Sequence, residues 1–73
     1  METILIDTEY ITLGQFLKYT AFISNGGEAK IAVLELKIAV NDVPESRRGR
    51  KIYPNDVVKV EKRTFKVIKN NEN

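Results

Sequence analysis

The residues best equipped for chemistry in this chain are Arg47-Arg48-Gly49-Arg50-Lys51, four cations in five positions. Like charges held this close repel one another and gain little until an anion arrives. Arginine suits phosphate because its planar guanidinium donates two parallel hydrogen bonds. Gly49 lets the segment bend, so that neighbouring arginines can reach one phosphate backbone. The bland alternative is a solvated loop whose arginines pair with Glu45 or Asp42. Binding phosphate needs no acid, base or nucleophile, and the chain lacks the commonest of these. It has no His and no Cys, which removes imidazole general bases, His-centred triads, disulfides and zinc sites of the usual kind. An enzyme would have carboxylates, Lys or Tyr alone. We therefore expect no catalytic residue, no metal and no cofactor.

The charge is unevenly placed. Residues 1–36 carry Lys18 and Lys30 against Glu2, Asp7, Glu9, Glu28 and Glu35. Residues 37–73 carry the other ten Lys and Arg against five acids. A basic half beside a mildly acidic one points to a nucleic-acid or membrane partner. No apolar run approaches transmembrane length, and Met1-Glu2-Thr3-Ile4-Leu5 does not read as a secretory signal. A cytoplasmic protein that binds nucleic acid is the expectation. With 73 residues there is room for one domain, which we place at 1–69, with residues 70–73 as a polar, disordered tail.

The elements that must position the arginines can be read from local signals. Thr3-Ile4-Leu5-Ile6 is β-branched-rich and predicts a strand that ends at Asp7-Thr8. Thr12 and Gln15 have capping-box spacing, and Ile11 with Phe16 makes a hydrophobic staple. A helix follows, ending near Ala21, with Leu13, Phe16, Leu17, Thr20 and Ala21 on one face. Asn25 is an N-cap for a second helix running to about Glu35, with Glu28 at the box position. Ala29, Ala32, Val33 and Leu36 form its core face. Ile31 and Leu34 lie off that face, so this helix is expected to be sandwiched between the first helix and the sheet.

Lys37-Ile38-Ala39-Val40 is a strand, and Asn41-Asp42 predicts a tight hairpin turn. Tyr53-Pro54-Asn55-Asp56 suits a type II turn, with Asp56 fixing it. Val57–Val60 and Phe65–Ile68 alternate as two more strands, joined through Glu61-Lys62-Arg63-Thr64. The result is an α+β fold: two N-terminal helices forming a helix-turn-helix corner, packed on a small, mostly antiparallel β-sheet. The corner itself is Ser24-Asn25-Gly26-Gly27-Glu28-Ala29-Lys30.

From Leu13 to Val60 the order of these motifs resembles the S-four RNA-binding domain (the αL fold), named for ribosomal small-subunit protein four. Ser24 stands at that family's corner serine, and Ala29-Lys30 at its Ala-Arg pair. Ile38-Ala39-Val40-Asn41-Asp42 takes the place of Val-x-Val-Asn-Gly, and Asn55-Asp56-Val57 that of Gly-Asp-x. The Gly-Gly-Glu-Ala-Lys corner and the arginine run look most like the short, stand-alone bacterial members. Four departures stand out. Leu36 replaces the glycine after the second helix, Asp42 and Asn55 replace two turn glycines, and Lys30 replaces Arg and so lacks the bidentate fork. The resemblance implies a module whose helices and adjoining loops present basic residues to structured RNA, a ribosomal RNA or particle being the natural partner. In larger relatives the domain is appended to pseudouridine synthases and aminoacyl-tRNA synthetases.

The expected RNA-binding set is Arg47, Arg48, Arg50 and Lys51, then Lys30 and Lys18, then Ser24, Asn25 and the amides of Gly26 and Gly27. Simple capping competes with phosphate binding for those last four. Tyr19, Phe22 and Tyr53 are candidates for base stacking, with ordinary packing as the competing reading. Two other functions remain open. A DNA-binding helix-turn-helix fits the corner, but its recognition helix would offer Glu28, Ile31, Leu34 and Glu35, with Lys30 its one base, where a major-groove reader needs donors. A protein-interaction adaptor would use Phe22, Ile31 and Leu34 as an exposed apolar patch.

Overall fold

The computed structural model describes residues 1–70. Strand β1 (Glu2–Ile6) opens the chain, and β2 (Ile11–Thr12) leads directly into helix α1 (Leu13–Tyr19). A 3-10 turn at Gly26–Glu28 precedes helix α2 (Ala29–Glu35). Strands β3 (Ile38–Val40), β4 (Val43–Pro44), β5 (Lys51–Ile52), β6 (Val57–Val60) and β7 (Arg63–Lys69) follow. The main sheet runs β1-β7-β6-β3-β4, and β2 pairs with β5 in a separate ribbon. Among the described residues only the β1–β7 pairing is parallel.

Helix α1 starts as its sequence predicts. The Gln15 amide donates to Thr12 Oγ1 at 3.2 Å, and Gln15 Oε1 accepts from the Thr12 amide at 2.9 Å. Leu13, Phe16 and Leu17 are fully buried, and Phe16 meets Phe65 of β7 edge-on at 5.2 Å. The helix ends at Tyr19, short of the expected Ala21. Ala21 has φ 66°, its N–H donates to the Lys18 carbonyl, and the Phe22 N–H donates to that of Leu17. This is a Schellman ending with alanine in the left-handed position that glycine prefers. It folds Ile23 back into the core.

Helix α2 departs from expectation. It buries Ala29, Ala32 and Val33, packing on α1, but Ile31 and Leu34 stay 60% and 73% exposed. It is an outer helix and is not sandwiched. A chain this short has too little material for a third layer over it. Its exit needs no glycine, because Leu36 is extended (φ −85°, ψ 144°) and leads straight toward β3.

The turns follow their residues. Asn41 and Asp42 both have positive φ (51° and 69°), as a type I′ hairpin requires. Asn55 has φ 80°, and the Asp56 carboxylate accepts the Tyr53 N–H at 2.8 Å and the Asn41 side-chain N–H at 3.1 Å. The last turn is tighter than expected, and β7 already begins at Arg63. Asn70, placed in the polar tail, donates from its main chain to the Ile6 carbonyl and from its side chain to Asp7. The rest of the proposed tail, 71–73, lies outside the described residues. Among the described residues no helix is long and apolar enough to cross a membrane.

Candidate nucleic-acid interface

The first turn of a helix leaves N–H groups without intrahelical partners. In α1 two of them are satisfied by the basic loop. The Leu13 N–H donates to the Arg50 carbonyl at 2.8 Å, and the Gly14 N–H to the Arg48 carbonyl at 2.9 Å. The β2–β5 ribbon continues this docking by pairing Thr12 with Lys51 and Ile11 with Ile52. The main chain of the arginine run is thus fastened to the start of α1, and the Arg48 side chain lies beside the corner.

Arg48 is the hub of this face. It lines a hollow of about 360 Å³ together with Lys18, Gly26 and Gly49. It also lines a neighbouring hollow shared with Lys30 and Ser46. Three cations far apart in sequence are therefore brought to one surface, and none of them has an ion-pair partner among the described residues.

Arg47 and Arg50 have a different setting. Both donate to Glu45: Arg47 through Nε at 2.9 Å and Nη2 at 3.0 Å, Arg50 through Nη1 at 2.8 Å. The Glu45 side chain is only 6% exposed. The Arg47 hydrogen bond, with that of Arg50 behind it, holds the Glu45 carboxyl far below the usual carboxylate range, against the opposing effect of burial. The pairing with Glu45 that the bland reading named is present, whereas Asp42 takes no part in it. Lys51 lies further along, its Nζ 4.9 Å from the centre of the Tyr10 ring.

At the corner, the Gly27 amide, one of the two expected to meet phosphate, is engaged internally, as are the amides of Ser24 and Asn25. Glu28 Oε1 accepts from the Ser24 N–H at 2.6 Å and from that of Asn25 at 3.4 Å, and Asn25 Oδ1 accepts from the Gly27 N–H at 2.9 Å. The Asn25 and Glu28 side chains cap the 3-10 turn that leads into α2, so a carboxylate lies among these amides, and of Ser24, Asn25, Gly26 and Gly27 only Gly26 borders the Arg48 hollow.

With this geometry in view, residues 4–68 match the family model described as the S4 domain. The chain belongs to the S4 domain family. It is also similar to the "Probable ribosome maturation protein RlbA" of Bacillus subtilis (strain 168), 57% identical over 58 residues, which cover 80% of this chain and 82% of that protein. The family match reaches past the Leu13–Val60 stretch that carried the resemblance and takes in most of β1 and β7.

Two features of this S4 domain escaped the sequence reading. One is Arg63, which pairs with Glu2 through two hydrogen bonds (2.8 and 2.6 Å) and lies over the rings of Phe22 (5.2 Å) and Phe65 (4.9 Å). It ties β1 to β7. Phe22, half-buried beneath this guanidinium and 6.1 Å from Phe65, is folded under the corner at the edge of a hollow it shares with Ile31, while Ile31 and Leu34 are exposed on α2. The second is a hollow of about 630 Å³, which is lined by Lys37, Lys59 and Lys62 together with Asp42 and Glu61, and by none of the expected site residues. Of the other stacking candidates, Tyr19 is exposed, and Tyr53 is exposed at one edge while packing on Tyr10 at 5.5 Å.

Proposed function

We propose that this S4 domain is a non-catalytic, cytoplasmic module that binds folded RNA, ribosomal RNA first among the candidates. Arg48, Lys18 and Lys30 make the central phosphate contacts, and Arg47, Arg50 and Lys51 extend them along the loop. The observation that carries this reading is the docking of the loop on α1, which sets Arg48 between two lysines from the corner helices. Such a surface reads backbone shape and offers little for base-edge recognition. Similarity to a protein named for ribosome maturation supports a ribosomal particle as the setting. Ser24, Asn25, Gly26 and Gly27 serve this face by shaping the corner.

The test is binding of a folded ribosomal RNA fragment across a salt series. With ~3–5 phosphates neutralised, log affinity should fall against log salt with a slope of about −2 to −4.5. Replacing Arg47, Arg48 and Arg50 together by Ala should flatten that slope. Salt-insensitive binding, or binding unchanged by the triple substitution, would overturn the reading. Duplex DNA is the competitor to include: the exposed positions of α2 are Lys30, Ile31, Leu34 and Glu35, poor in the donors that a major groove demands.

One observation favours a second reading, that of a protein adaptor. Ile31 and Leu34 stand exposed side by side on α2, as residues three apart on a helix do. Replacing both by Ser should leave RNA affinity intact and lower association with ribosomal particles if the patch docks on protein. No change in particle association would remove the adaptor.

A further inference from the structure

A carboxylate in the middle of a phosphate-binding loop repels the ligand the loop is there to hold. Glu45 is such a carboxylate. It is nearly covered and is the most heavily bonded acceptor in the loop. Its two oxygens receive the N–H groups of Ser46 (3.1 Å) and Arg47 (3.0 Å), two side-chain donors of Arg47, and one of Arg50. Starting from the proposed RNA-binding function, we infer that Glu45 is a positioning residue: it holds the Arg47 and Arg50 guanidiniums at a fixed spacing, so that the loop favours RNA whose phosphates are already fixed by folding.

The donor inventory fits this role. A guanidinium has five N–H donors. Glu45 takes two from Arg47 and one from Arg50, which leaves three and four for an incoming anion. Arg47 is 74% exposed and Arg50 31%, so the first reaches outward while the second is anchored. The loop under them is anchored too, through the Arg48 and Arg50 carbonyls on α1. Two long side chains that would otherwise be ordered on binding are ordered beforehand, which removes an entropic cost of association. Only a ligand that is itself rigid, with matching phosphate spacing, gains the whole benefit. A flexible strand must still order its own backbone.

The inference can be tested because it opposes the simple charge argument in sign. Glu45→Gln keeps the shape of the side chain and removes its negative charge. On charge alone, every RNA should bind this variant more tightly. If Glu45 positions the arginines, affinity for a folded ribosomal RNA fragment drops by about fivefold or more. Affinity for an unstructured RNA of the same length stays level or rises. Glu45→Asp keeps the charge but shortens the reach, so it should lose folded-RNA affinity with an unchanged salt slope. It carries the test if Glu45→Gln melts below the assay temperature. Tighter binding of both RNAs by Glu45→Gln, or wild-type affinity in Glu45→Asp, would overturn the inference and leave the RNA-binding function standing. Absence of salt-dependent RNA binding by the wild-type protein would overturn that function and the inference with it.

Discussion

The main-chain N–H of Gly14 donates to the Arg48 carbonyl at 2.9 Å, and this contact joins the first helix to the basic loop. There is little space for a side chain in it. A Cβ on Gly14 would lie 3.2 Å from Cβ of Ala29 and 3.5 Å from the Arg48 carbonyl oxygen. Gly14 is where α1, α2 and the loop converge. Gly14→Val should therefore wedge them apart, costing about 1–3 kcal/mol of stability by overpacking. It should also weaken RNA binding under conditions where the variant remains folded. Denaturant unfolding and a binding titration on the same preparation check both effects.

Arg48 and the sheet lysines make a spatial contrast. Arg48→Ala should lower RNA affinity and make the salt slope shallower by about 1, one phosphate contact's worth. Lys59→Ala, on the sheet face turned away from α1, should leave the slope unchanged. Equal losses from the two substitutions would mean that binding follows net charge and not this face.

Ala21 holds a left-handed conformation, φ 66°, at the end of α1. A residue with a Cβ is disfavoured there by ~1–2 kcal/mol, partly offset by the greater chain entropy that glycine brings to the unfolded state. Ala21→Gly should raise stability by about 0.5–1 kcal/mol, several degrees in Tm for a domain of this size. The side chain is exposed, so no packing is lost, and RNA affinity should not change.

Acid should loosen the loop. The hydrogen bonds from Arg47 and Arg50 depress the Glu45 carboxyl well below its ordinary 4.5. A carboxylate depressed on folding contributes stability that is complete above its unfolded pKa. That contribution is lost as the pH falls from there toward the folded value. Glu45→Gln should thus melt lower than wild type at pH 7, and the gap should narrow as the pH falls from about 5 to about 2. Glu2, depressed by the Arg63 hydrogen bond, is present in both proteins and cancels from the comparison. A gap independent of pH would show that the Glu45 charge does not stabilise the fold.

Much of the fold was legible because it is local. Thr12 with Gln15, Asn25 with Glu28, Asn41-Asp42 and Pro54-Asn55 act within three residues of one another, and the bonds or backbone angles they imply are present. The arginine run was legible as a candidate for phosphate binding from its residue types alone. The S4 relationship was legible in the order of the motifs, although each motif is weak alone.

What the sequence determined by itself, then, is the set of caps, turns and strands, the absence of imidazole and thiol chemistry, and the candidate cations. The tertiary structure decided which of those cations share a surface. Arg48 borders one hollow with Lys18 and another with Lys30 because its carbonyl completes the first turn of α1. Lys51 is held beside the start of α1 through the two-residue pairing of β5 with β2. Helix α2 has apolar residues on more than one side, but its exposed face follows from how few layers so short a chain can build. The parallel β1–β7 pair joins residues more than sixty positions apart, as does the Arg63–Glu2 bridge. A hydrogen bond or packing contact closed across such distances depends on the folding of everything between its partners, and so it has no signature in the residues themselves.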